Sequence, residues 1–165
     1  MVQSLLMALV VVLGVLFHGD WTRLPVIAAG AGLFIMGGYF GVAGVVVLGG
    51  ALTPFPKPRE GSELVQCGVY AIVRHPLYAS VMLSSLGWAL IWQSGPALIT
   101  TLLLIPFFHF KARREECWLR KQFPDYAEYE RRVPRFIPRF RRAPKTVLTI
   151  CLLTIKTAKS SLLIL

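Results

Sequence analysis

Apolar and polar residues are sorted into long blocks along this chain rather than alternating. Four nearly uncharged apolar blocks run from about Val2 to Phe17, Val26 to Leu52, Leu77 to Trp92 and Pro96 to Phe110. About 20 apolar residues cross the hydrocarbon core of a bilayer, with about 17 as the lower limit. The second block is long enough to cross at any modest tilt; the other three are short and predict helices standing nearly upright. The connections His18–Pro25 and Gln93–Gly95 are brief, which pairs the blocks into two helical hairpins. Gly30, Gly32, Gly37, Gly38, Gly41 and Gly44 crowd the second block, and Gly37 and Gly41 form a GxxxG pair. Small residues at this spacing let helices pack closely in lipid. The expected fold is all-α: an integral membrane helical bundle of about four transmembrane helices plus a cytoplasmic C-terminal helical segment.

The polar residues orient that bundle. Of the 18 lysines and arginines, Arg23 alone sits in one of the two short connections; Lys57, Arg59 and Arg74 lie between blocks two and three, and the rest follow block four. By the positive-inside rule both termini and the central loop are expected to be cytoplasmic, in a multi-pass membrane protein. Past Phe110 the pattern changes to a charged helix over Lys111–Phe123, then one or two more turns opened by Pro124. Val133-Pro134 and Ile137-Pro138 end any helix there, because proline disfavours helix in the residue before it. The apolar tail from about Thr146 to Leu165, interrupted by Lys156 and Lys159, fits a fifth helix on the membrane surface and an extension without fixed fold equally well. The expected organisation is an N-terminal transmembrane hairpin (1–52), a core (53–142) and the tail (143–165).

Composition agrees and removes several function classes. The chain has 165 residues, 55% of them hydrophobic and 16% charged, with a mean hydropathy of +0.61. Soluble domains carry about a quarter charged residues. The net charge of +10 invites nucleic acid, but its placement between and after the apolar blocks fits anionic lipid instead, so the bilayer is the expected partner and nucleic acid is not. Cys67, Cys117 and Cys151 form no CxxC and have no paired histidine nearby, which excludes a disulfide framework and a metal site. The first block lacks a basic leader and a small-residue cleavage site, so a removable signal peptide is not expected.

Polar groups are costly inside lipid, so any active site belongs where the two polar segments 53–78 and 111–142 meet. In the first, Gly68-Val69-Tyr70-Ala71-Ile72-Val73-Arg74-His75-Pro76-Leu77-Tyr78 leads directly into block three. Pro76 suits the first helical position and puts His75 at the cap, where free N–H groups favour an anion such as a carboxylate. Tyr70 and Tyr78 add aromatic faces, against which a sulfonium gains about 0.5–2 kcal/mol. Taken singly, His75 is a capping residue, Arg74 a headgroup contact and the tyrosines interface anchors. In the second segment, Arg114-Glu115-Glu116 reads alone as a solvated helix face with local pairs.

Their order carries more. Gly-Val-Tyr, Arg-His-Pro-x-Tyr, Glu-Glu-x-x-Leu-x-x-x-Phe (Glu115–Phe123), Tyr126-x-x-Tyr129 and Arg132-Val133-Pro134 together resemble the isoprenylcysteine carboxyl methyltransferase family, within the wider group that includes membrane phospholipid methyltransferases. The loop Thr53–Glu60 and Leu64-Val65 are also similar to bacterial members, and the resemblance spans roughly Leu52 to Pro138. It implies S-adenosylmethionine in a pocket at the cytoplasmic interface, roofed by the C-terminal segment. By position, Glu63, Leu64, Val65, Tyr70, His75, Pro76, Leu77 and Tyr78 would line that pocket, and Arg74, Glu116 and Arg132 would organise the reacting centre. Ser62-Glu63 replaces a His-Thr pair of the eukaryotic members, and the chain has fewer spans than they do.

Methyl transfer from a sulfonium is an in-line displacement that mainly requires the partners to be held together. A carboxylate acceptor needs a cation, for which Arg132 is the candidate; an amine must lose a proton, which Glu116 would take; a thiol needs neighbouring arginines to ionise. The sequence admits all three, on a lipophilic or membrane-partitioning acceptor. The competing readings are a phospholipid N-methyltransferase and a non-catalytic membrane scaffold or transport subunit. No acidic residue lies inside a block, which argues against transport.

Overall fold

The computed structural model describes residues 2–19, 23–49 and 64–138, all helix or connection. Its elements in chain order are α1 (Val2–Leu16), α2 (Leu24–Leu48), a 3-10 turn (Gly68–Ala71), α3 (Pro76–Ile91), α4 (Gly95–Gln122) and α5 (Tyr126–Arg132). Each expected apolar block is a helix. Prolines stand in the first turns of α2, α3 and α4, where a missing N–H costs nothing. Ser94 caps α4 by accepting from Ala97 N at 3.4 Å, and its hydroxyl donates to Leu13 O at 2.9 Å, tying the α3–α4 connection to the end of α1.

Block four and the charged segment after it form one helix, not two. Nothing between Phe110 and Lys111 breaks the backbone ladder, so a change in composition does not end α4. Its 28 residues rise about 42 Å, enough to carry Glu115 and Glu116 well clear of the apolar stretch. Pro106 lies inside it without ending it.

α2 and α4 are long and apolar enough to cross a membrane; α1 and α3 are shorter apolar helices. Only 11% of the apolar window of α2 is buried, which is unlike the core helix of a soluble protein. Ile35, Tyr39, Val42 and Val46 are all exposed, and an apolar face this continuous demands lipid or another apolar partner.

α2 packs on α3 through glycine. A Cβ on Gly37 would meet Ser84 N at 2.7 Å and Ser80 O at 2.9 Å, and one on Gly30 would meet Gly87 O at 2.9 Å. Gly32 and Gly38, on the other side, meet nothing within 4 Å. The expected GxxxG face is therefore an internal seam. At the far end of the same helix, Gly68 has φ +59°, and a Cβ there would meet the Val47 side chain at 2.8 Å, so glycine lets the 3-10 turn close onto α2. α1 and α4 meet in a second cluster of Val10, Leu104 and Phe108, with Tyr78 and Trp88 packed against it.

These contacts sort the bundle into two ends. Phe17–Gly19 and Trp92–Ser94 meet at one end, where Gly19 N donates to Trp92 O at 3.2 Å. At the other, Lys111 Nζ of α4 reaches Gln3 Oε1 at the start of α1, and residues 64–78 meet α5. The described parts of the two polar segments, 64–78 and 111–138, do share one end of the bundle.

The seam gives a direct test. Gly37→Val is expected to cost at least about 1–3 kcal/mol through overpacking, while Gly38→Ala is expected to be neutral or slightly stabilising. Thermal unfolding of both variants in detergent, followed by tryptophan fluorescence, checks this; equal midpoints would contradict the seam.

Candidate active site

At the polar end, three segments converge on one carboxylate. Glu116 lies on the inner face of α4, two turns past Phe110, and is 1% exposed. His75 Nε2 is 3.1 Å from Glu116 Oε1. Arg135 Nε donates to the same oxygen at 2.9 Å, and its Nη2 donates to Oε2, forming a two-pronged pair. Arg74 Nη1 lies 3.3 Å from Glu116 Oε1 and 2.8 Å from Glu130 Oε1, as charge contacts rather than aligned hydrogen bonds. Burial pushes the Glu116 carboxyl up; the hydrogen bonds from His75 and Arg135 and the charge of Arg74 outweigh it and bring it down to about 2.

Backbone bonds fix the geometry. Arg74 N donates to Pro134 O at 2.9 Å and His75 N to Arg135 O at 3.2 Å, so the segment after α5 is stitched to the start of α3. Val133-Pro134 has left the helix by then, as the proline requires. α5 is pinned through Tyr129, whose buried hydroxyl donates to Tyr70 O at 2.7 Å; burial raises this phenol's pKa, which keeps it a donor. Arg120 of α4 makes two bonds to Glu130 of α5, at 2.8 and 2.7 Å. The hydrogen bond to Arg120 lowers the Glu130 carboxyl below its ordinary value.

Beside the clamp lies a second, less constrained group. His75 stacks on Tyr78 with centroids 5.3 Å apart, and Tyr78 stacks on Phe108 at 5.0 Å. Tyr78 donates to Glu115 Oε2 at 2.8 Å, and His75 Nδ1 is 3.6 Å from the same oxygen. Among the described residues Glu115 has no arginine partner. Lys111 Nζ lies 4.9 Å from the centre of the Tyr78 ring.

The structure thus brings Arg74, His75, Tyr78 and Glu116 together, with Pro76 and Leu77 opening α3 between them. Tyr70 is buried on the 3-10 turn in the cluster with Val69, Val73 and Phe40, and Val65 packs against it; Leu64 opens the described segment. Glu63 lies outside the described residues, as do the loop 53–60 and the tail. Arg132 stands apart from Glu116: it is exposed, 3.4 Å from Gln66 Oε1 and 3.7 Å from Glu128 Oε1. Arg135 makes the contact with Glu116. The sequence alone does not single Arg135 out, because it is one of several basic residues interleaved with aromatics past Pro134; its place directly after Val133-Pro134, where the chain turns back, is the available signal.

Comparison with known proteins now bears on this geometry. The model of the phospholipid methyltransferase family matches residues 25–126, more than half of the chain. This chain belongs to the phospholipid methyltransferase family. It is 37% identical over 84 residues to the cobalt-zinc-cadmium resistance protein CzcN of Cupriavidus metallidurans, covering 49% of this chain and 38% of that protein. It is 31% identical over 111 residues to the protein-S-isoprenylcysteine O-methyltransferase of Schizosaccharomyces pombe, covering 65% and 47%. To protein-S-isoprenylcysteine O-methyltransferase B of Arabidopsis thaliana it is 30% identical over 113 residues, covering 66% and 57%. The chain spans roughly half the length of these relatives or less. The Glu116 clamp is completed by Arg135, beyond the family match.

The clamp makes stability depend on acid. With its folded value lowered from 4.5 to about 2, Glu116 stabilises the fold above its unfolded pKa, and that contribution is lost as pH falls through the folded one. Acid titration in detergent is expected to show loss of structure across that window. In Glu116→Gln the loss should be shallower, with Glu130 supplying the remainder. At neutral pH Glu116→Gln should be less stable by about 3 kcal/mol, because Arg135 then loses its counter-charge and Arg74 keeps only Glu130.

Proposed function

We propose that this protein is an integral membrane methyltransferase that uses S-adenosylmethionine and acts on a lipophilic or membrane-partitioning acceptor. The observation that carries the reading is the meeting of Arg74, His75, Tyr78, Glu115 and Glu116 at the polar end of an apolar bundle. Family membership supports the reaction class. In this reading α1 to α4 all cross the bilayer, and the site lies on the cytoplasmic side of a bacterial inner membrane.

The residues suit a sulfonium donor. The Tyr78 ring already has one cation, the Lys111 ammonium, over its face, and Glu115 beside it has no arginine partner among the described residues. An aromatic face and a carboxylate together attract a positive centre. When bound, S-adenosylmethionine supplies the methyl group as a substituent of that positive sulfur. His75, Pro76, Leu77 and Tyr78 would hold it at the start of α3, with Leu64, Val65 and Tyr70 behind them. Glu116, already bound by three partners, would order the site rather than exchange a proton. Arg132, exposed at the rim, remains the candidate for holding an acceptor carboxylate.

The narrower alternative, methylation of a phospholipid amine, is favoured by one observation. Glu115 is partly exposed and keeps an oxygen beside His75 Nδ1, so an ammonium headgroup would find both a counter-charge and a route for its proton.

Purified protein is expected to bind S-adenosylhomocysteine, with binding lost in His75→Ala and Tyr78→Ala while the fold persists. No binding by folded wild type would sink the methyltransferase reading in favour of a non-catalytic scaffold. Incubating membranes with methyl-labelled donor then separates acceptors: label in phosphatidylethanolamine derivatives selects the amine reading, and label in other lipids or thiols rejects it.

A further inference from the structure

We infer that Arg135 is a positioning residue that fixes which nitrogen of His75 carries the proton, acting through Glu116. This rests on the reading above only for its consequence in methyl-donor binding; the geometry stands by itself.

An ionised carboxylate only accepts hydrogen bonds. Glu116 is held as an anion by Arg74 and Arg135, so the 3.1 Å contact to His75 Nε2 requires the proton on that nitrogen. Nδ1 then faces Glu115 and Tyr78, on the less enclosed side of the ring. The assignment depends on how Glu116 is oriented, and here Arg135 differs from Arg74. Arg74 reaches Glu116 with a single nitrogen that also serves Glu130. Arg135 grips both oxygens through Nε and Nη2, and a two-pronged guanidinium–carboxylate pair fixes the carboxylate plane.

The imidazole has few other constraints on its rotation. Its faces meet Tyr78 and Phe136, contacts that a flipped ring would keep. Arg135 also holds His75 from behind, since its carbonyl accepts from His75 N at 3.2 Å. That bond survives any side-chain substitution, so the side chain's contribution can be tested alone. His109 Nδ1, 3.4 Å from Arg135 Nη1, also meets the guanidinium from α4. A lysine at position 135 keeps a charge near Glu116 but cannot span both oxygens.

The test is nitrogen NMR of histidine-labelled protein in detergent, titrated upward in pH until the His75 signal reports a neutral ring, with that signal assigned by its loss in His75→Gln. Wild type is expected to show one neutral tautomer with the proton on Nε2. Arg135→Met and Arg135→Lys are each expected to show a mixture of tautomers. Arg131→Gln, an exposed residue outside the site, should match wild type. If Arg135→Met fails to fold, Arg135→Lys decides by the same signal. A wild-type-like tautomer in a folded Arg135 variant overturns the proposal.

S-adenosylhomocysteine titration completes it. Where wild type binds, about tenfold weaker binding in folded Arg135→Lys supports a positioning role for the donor, and unchanged binding overturns that role whatever the tautomer. A wild type that shows the tautomer lock, lost in Arg135→Lys, but binds no S-adenosylhomocysteine supports the lock and refutes the methyltransferase reading.

Discussion

Glu116 carries a negative charge where almost no water reaches it, and the polar end of the molecule is arranged around that fact. Taking a carboxylate out of water costs several kcal/mol unless charge and hydrogen bonds replace the lost solvent. Arg74, Arg135 and His75 replace it, and they come from two segments distant in sequence from α4. Long-range order at this end is therefore an electrostatic necessity. The segment after α5 cannot leave, and α3 cannot shift at its start, without exposing an uncompensated charge.

The rest of the bundle follows a different physics. α2 and α3 meet by close backbone approach at Gly30, Gly37 and Gly87, a mode of packing that also serves helices in lipid, where the hydrophobic effect gives them no reason to associate. α1 and α4 rely on side-chain packing around Val10, Leu104 and Phe108. Neither contact specifies chemistry. What joins the two regimes is the length of α4: its apolar part packs with α1, and its polar part delivers Glu115 and Glu116 beside His75. Tyr78 marks the junction, stacked on Phe108 below and bonded to Glu115 above.

Much of this was legible in the residues. Block lengths and prolines located α1 to α3 and the start of α4 to within a few residues, because apolarity and the missing proline N–H act locally. The convergence of 64–78 with the end of α4 followed from charge placement alone. Two things were not legible. The break assumed after Phe110 was a change of solvent rather than of backbone, and composition does not separate the two. The pairing of Arg135 with Glu116 depends on how the chain turns at Val133-Pro134, which puts the Pro134 and Arg135 carbonyls on Arg74 and His75. Such a turn is set by tertiary pairing, and a motif read by position passes over it.

The two carboxylates of the Glu115-Glu116 pair illustrate how neighbours in sequence divide their labour. Successive residues on a helix point about 100° apart, so one faces inward to the arginines and the other toward Tyr78 and Lys111. Glu116 has three cationic or donor partners and ends deeply buried; Glu115 has a phenol and the edge of an imidazole and stays partly exposed. A charge whose field is already spent holds structure, whereas one whose field is unspent attracts something from outside. His75 touches both, with one nitrogen on each carboxylate. A positive group received at Glu115 would thus be coupled through one aromatic ring to the charge that holds the segment after α5 in place.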